Sequence, residues 1–172
     1  MKKKITFDCI QDLDLTKVRK RARAEFELCR TNLITGIDPK TGRDRQGRTE
    51  DDMRGAFFRG HCGEVYLLDH QGYIDDERDY QDVLERGTLD PVAVKVTKLT
   101  EWHIDFTKEK LKIEKNNQHL AWKEHPDKLI IFTNNDEDSK YTFYANYVWE
   151  NNDWKEVPFL EKKGLHSPQS VL

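Results

Sequence analysis

Cysteine and methionine are scarce in this chain, with three of the first and two of the second in 172 residues. Cys9, Cys29 and Cys62 are odd in number and include no Cys-x-x-Cys pair, which argues against a disulfide framework and a zinc knuckle and favours reduced, buried thiols. No apolar run approaches the length of a membrane span, about eighteen residues. Met1 to Lys4 leads straight into Ile5-Thr6-Phe7-Asp8 with no signal-peptide core. The expectation is a soluble, intracellular protein of the cytoplasm that does not engage a membrane. A P-loop, a Gly-x-Gly-x-x-Gly run and a Ser-His-Asp order are also missing, which weakens NTPase, dinucleotide-binding and triad-hydrolase readings. Neither His61-Cys62 nor the pair His119 and His125 has metal-ligand spacing.

Charge, by contrast, is abundant: charged residues make up 35% of the chain against 36% hydrophobic. Leu, Ile, Val and Phe together number 41, enough to build a core, and the length suits one domain. The net charge of −3 divides into +5 for residues 1–60 and −8 for the remainder. A basic front and an acidic rest suit contact with phosphates at one end and metal-holding carboxylates at the other.

The spacing of Leu15, Val18, Ala22, Phe26, Cys29 and Leu33 predicts a helix from Asp14, its N-cap, to Leu33. Its first turns carry Lys17, Arg19, Lys20, Arg21 and Arg23, a candidate phosphate-contacting face. Residues 35–52 hold three glycines and one proline and read as a long loop, with Arg43, Arg45 and Arg48 as a candidate nucleic-acid arm. A second helix is expected from Met53 or Arg54 to about Asp69, weakened by Gly60 and Gly63 and ended by Gln71-Gly72. Tyr80–Glu85 and Pro91–Thr97 read as a hairpin turning at Arg86-Gly87-Thr88. Alternation of Trp102, Ile104 and Phe106, and of Leu111 and Ile113, suggests two short strands, followed by a short helix over 116–124. Strands are expected at 129–132 and 141–149, and a frayed tail from Gly164. The organisation expected is one domain over 1–172: a basic N-terminal helix and flexible loop at 1–52, a core at 53–160 and a tail at 161–172.

Within the hairpin, Val92, Val94 and Val96 fall on one face of the second strand and Ala93 and Lys95 on the other. Asp82, on the preceding strand, can approach Lys95 if the register puts them on one face. Glu64 on the second helix, Gly72-Tyr73 in the connector, Asp82 and Val-Ala-Val-Lys95 together resemble the PD-(D/E)XK nuclease superfamily. The resemblance spans about residues 54–148 and implies an α/β fold, a central mixed sheet flanked by helices, of the restriction-endonuclease-like kind.

It implies a metal-dependent endonuclease hydrolysing DNA phosphodiester bonds. Asp82 would ligate Mg²⁺, or Mn²⁺ in its place, with Glu64 as an additional carboxylate and Lys95 beside the attacking water. Hard cations of this kind take carboxylate oxygens and neutralise phosphoryl charge. Position 93, acidic in the family, is alanine here, so the resemblance implies a chain with little or no activity, either naturally degenerate or altered at that position. Asp79 is the runner-up for the role of Asp82, and Glu77 and Glu101 are further substitute ligands. Gln118, on the helix after Lys95, is the polar group placed to reach the scissile phosphate. A catalytically silent nucleic-acid-binding protein on the same fold is the alternative, and a more distant one pairs the long N-terminal helices into a homodimer. Trp102, Trp122, Trp149 and Trp154 read as core or interface anchors before base-stacking groups.

Overall fold

A computed structural model describes residues 5–35, 50–76, 82–116, 126–135 and 138–161. In chain order the elements are β1 (Thr6–Asp8), α1 (Cys9–Asp12), α2 (Leu15–Thr35), α3 (Glu50–His70), β2 (Ile74–Asp75), β3 (Asp82–Leu84), β4 (Pro91–Thr97), α4 (Glu101–Asn116), β5 (Lys128–Asn134), β6 (Lys140–Glu150) and β7 (Asp153–Val157). The strands form one mixed sheet in the order β1-β6-β5-β4-β3-β2, with β7 also on β6. Among the described residues only the β4–β5 pair is parallel, and α4 lies in the crossover between its strands. The chain is thus mixed α/β, with a curled mixed sheet flanked by helices. Among the described residues no helix is long and apolar enough to cross a membrane.

Two cores, one on each face of the sheet, explain the pattern of the central strands. Val92 and Val94 of β4 and Ile130 and Phe132 of β5 pack with Cys62, Val65 and Tyr66 of α3. Leu129 and Ile131 pack on the other side with Leu111 of α4, and Ala93 lies against that second cluster. β5 therefore buries both faces, which is why Leu129 to Phe132 runs apolar without alternation. At Gly63 α3 lies close against the sheet: a Cβ there would stand 3.0 Å from Val94 Cγ1 and 3.1 Å from Phe132 Cδ2. Helix propensity is given up at that point for close approach.

α2 begins as expected. The Asp14 carboxylate accepts from the backbone N–H of Thr16 at 3.0 Å and of Lys17 at 3.3 Å. Its stripe of Val18, Ala22 and Phe26 is buried, and Phe26 meets Phe57 of α3 edge to face. Over Val18 to Phe26 the apolar stripe of this helix is thus packed inside the molecule.

Residues 101–116 form a helix, not the two strands that alternation suggested. The buried positions Ile104, Leu111 and Lys115 follow a helical repeat, whereas Trp102, Phe106 and Ile113 are exposed by 66%, 51% and 54%. Alternation there mixed inward and outward residues. The expected helix over 116–124 lies, past Asn116, outside the described residues, as does the tail beyond Glu161. β7 follows a two-residue turn in which Asn151 and Asn152 both have positive φ, 51° and 61°. Paired asparagines are suited to such a hairpin turn.

Candidate functional site

The hairpin of β3 and β4 carries the candidate chemistry. Gly87, with φ 96°, turns it, and the Glu85 N–H donates to the Asp90 carbonyl at 2.9 Å. Lys128 at the start of β5 ties down the base of the turn, reaching Glu85 at 2.8 Å and Asp90 at 3.0 Å. The register pairs Asp82 with Ala93, Val83 with Val92 and Leu84 with Pro91. Asp82 is described by this backbone position alone. Lys95 stands two residues beyond Ala93, half-buried and opposite Ile131 of β5. Among the described residues no carboxylate pairs with it. Thr97 at the end of β4 is tied to α4, accepting from the Thr107 hydroxyl at 3.1 Å.

Glu64 is not brought to that face. α3 packs on the Val92 and Val94 side, and the Glu64 carboxylate lies in a buried ion cluster between α2 and α3. Its Oε2 is 2.5 Å from His61 Nδ1, an ion contact rather than an aligned hydrogen bond, and 3.7 Å from Arg21 Nη2. On its other side the His61 ring meets Glu25 at 2.8 Å through Nε2. Arg21 Nη1 in turn donates to Asp75 of β2 at 2.6 Å. Burial alone would lower the His61 pKa, but the facing carboxylates of Glu64 and Glu25 outweigh it and push it up to about 9. Burial also raises Glu64, opposed by the charges of His61 and Arg21. Both directions mean that a proton on this pair is held more firmly than on either group in water.

Arg21 therefore leaves the expected phosphate-contacting set: it is 2% exposed and its guanidinium is committed to Asp75 and Glu64. Lys17 is paired with Asp69 at 2.6 Å. Arg19, Lys20 and Arg23 remain on the outer face and, with Thr16, Ala24 and Glu27, line an open groove along α2. Arg23 stands four residues from Arg19 and three from Lys20, spacings that share one side of a helix. Arg43, Arg45, Arg48, Gln118, Glu77, Asp79 and Trp122 lie outside the described residues. Glu101 opens α4 and is exposed.

Cys9 and Cys62 are free and buried, and burial pushes the Cys62 thiol up to about 12, so neither is a poised nucleophile. Sequence reasoning missed the ion cluster of Arg21, Glu25, His61, Glu64 and Asp75. Its signal is the placement of Arg21 and Glu25 beside the apolar stripe of Val18, Ala22 and Phe26, where a solvated face would not put charges.

The described residues do not by themselves assemble a divalent-cation site, and the Asp82 side chain lies outside them. Position 93 offers a methyl group, Glu64 is engaged in the ion cluster, and among the described residues no three of His, Cys, Asp or Glu are grouped to hold a metal. Comparison with protein-family models, with curated proteins and with solved structures finds no match.

Proposed function

We propose that this chain binds DNA without cutting it, on the hairpin of a metal-dependent endonuclease whose second carboxylate has been replaced by Ala93. The register that sets Asp82 across from Ala93, with Lys95 two residues on, carries the reading. A mixed sheet flanked by helices is the coarse architecture that the PD-(D/E)XK resemblance implies. A half-buried lysine without a carboxylate partner among the described residues suits a phosphodiester oxygen, which would complete its electrostatics. The exposed cations Arg19, Lys20 and Arg23 supply sequence-independent phosphate contacts on a second surface.

An intact endonuclease is the reading that the alanine disfavours, because a methyl group cannot ligate a hard cation. The test is Ala93→Glu, assayed on plasmid DNA with Mg²⁺ or Mn²⁺ and compared with Ala93→Gln, which adds similar bulk but little affinity for such ions. Cleavage by the Glu variant alone, raised on the order of a hundredfold or more over the parent chain, is expected. A folded Glu variant that binds DNA and cuts no duplex, branched or single-stranded substrate removes the nuclease origin and leaves a binding module. A parent chain that binds no DNA removes the reading altogether.

A further inference from the structure

The turn that joins β3 to β4 is strained at a residue that gains little from it. Leu89 has φ 60°, in the left-handed region that glycine and asparagine adopt at lower cost. Its side chain is 57% exposed, so little burial offsets the strain. The conformation is nevertheless firmly held. The Leu89 N–H donates to the Glu85 carbonyl at 2.8 Å, and the Asp90 N–H donates to the Thr88 hydroxyl oxygen at 3.3 Å. Below them Lys128 clamps the carboxylates of Glu85 and Asp90. A strained residue that its surroundings hold in place, and that packs on no core, points to a role outside folding.

What the tip presents is chemically one-sided. Arg86, Gly87, Thr88 and Leu89 are all exposed. Among the described residues no carboxylate pairs with Arg86. The Thr88 oxygen accepts from Asp90, which leaves the hydroxyl proton to donate outward, and both acidic side chains at the base are paired with Lys128. We propose that this tip enters the minor groove of duplex DNA at A·T-rich sequence, with Leu89 as an apolar wedge and Arg86 and Thr88 as donors to the groove floor. The inference rests on the DNA-binding reading above and adds to it what the hairpin selects. At A·T pairs the floor shows only acceptors, adenine N3 and thymine O2, whereas G·C adds a donating amino group that donors on the tip cannot match. Apolar side chains inserted there partly unstack the base steps. Glycine or asparagine at position 89 would relieve the strain and remove the wedge, which accounts for the leucine. The strand rise sets Leu89 no more than about 20 Å along β4 from Lys95, within the roughly 34 Å of one duplex turn. One duplex can therefore meet both, across the paired positions Val83 with Val92 and Leu84 with Pro91.

Leu89→Gly in the full chain separates the two roles of the residue. Relief of the strain should raise the melting temperature, while loss of the wedge should weaken binding to an A·T-rich duplex roughly fivefold or more. Arg86→Ala should weaken the same binding and leave the melting temperature unchanged. Anisotropy titrations with an A·T-rich duplex, a G·C-rich duplex and a duplex carrying inosine in place of guanine test the groove, because inosine lacks the minor-groove amino group. The parent chain should bind the A·T and inosine duplexes alike and the G·C duplex several-fold more weakly. A Leu89→Gly variant that binds as the parent does overturns the proposal and leaves the DNA-binding reading standing. Inosine and G·C duplexes bound equally, or all duplexes bound equally, overturn it in the same way. A parent chain that binds none of these duplexes overturns both.

Discussion

His61 and Glu64, one turn apart on α3, stand 2.5 Å from each other, Nδ1 to Oε2, in a place with almost no solvent contact. Around them Glu25 and Arg21 come from α2, and through Arg21 the cluster reaches Asp75 on β2. One set of charges therefore fastens the basic helix to the neck of α3 and to the edge of the sheet. Its consequences for stability can be measured separately from any activity.

The pH dependence has a definite sign. His61 is raised in the folded chain from 6.5 to about 9, so its contribution is complete below about pH 6.5 and is lost as pH rises through about 9. Glu64 is also raised and acts in the same direction. Denaturant titrations across that window should show falling stability, and His61→Gln should flatten the fall. A stability that rises from pH 6.5 to 9 would contradict the cluster.

Arg21 and Arg19, two residues apart, should behave oppositely. Arg21→Met strands Glu64 and Asp75 and should cost on the order of 3 kcal/mol of stability. Arg19→Ala, on the exposed face, should change stability by no more than about 0.5 kcal/mol while weakening DNA binding. Chemical denaturation and anisotropy titration of the two variants separate the roles.

Glycines 60 and 63 make a second contrast on one helix. A Cβ at Gly60 meets nothing within 4 Å, so Gly60→Ala should stabilise by about 0.5–1 kcal/mol through helix propensity. At Gly63 the same methyl runs into Val94 and Phe132, and Gly63→Ala should destabilise despite the propensity gain. Equal effects at the two positions would mean that α3 does not approach the sheet as described.

Long amphipathic and apolar segments could be read from the chain alone: α2, α3, the β3–β4 hairpin, β5 and β6 were all expected near their observed bounds. Their periodicities are strong because each buries a continuous stripe or face. α4 was misread because apolar residues occupy both of its sides, which imitates alternation. β1, β2 and α1 are two to four residues long and owe their form to neighbours, Cys9 N–H donating to the Ser139 carbonyl at 2.9 Å, for example. Of the candidate site, the facing of position 82 and position 93 was foreseeable from strand alternation and turn length. The burial of Arg21 and Glu64 was not, since it depends on how two helices distant in sequence pack side by side.

DNA affinity measured against salt concentration tests the central claim most directly. Four phosphate contacts, from Lys95, Arg19, Lys20 and Arg23, predict a slope of log affinity against log salt of about −3.6, steeper if Arg43, Arg45 and Arg48 also engage. Neutralising any contacting residue should flatten it by about one. An affinity indifferent to salt, or no binding to duplex DNA at low salt, would contradict the account.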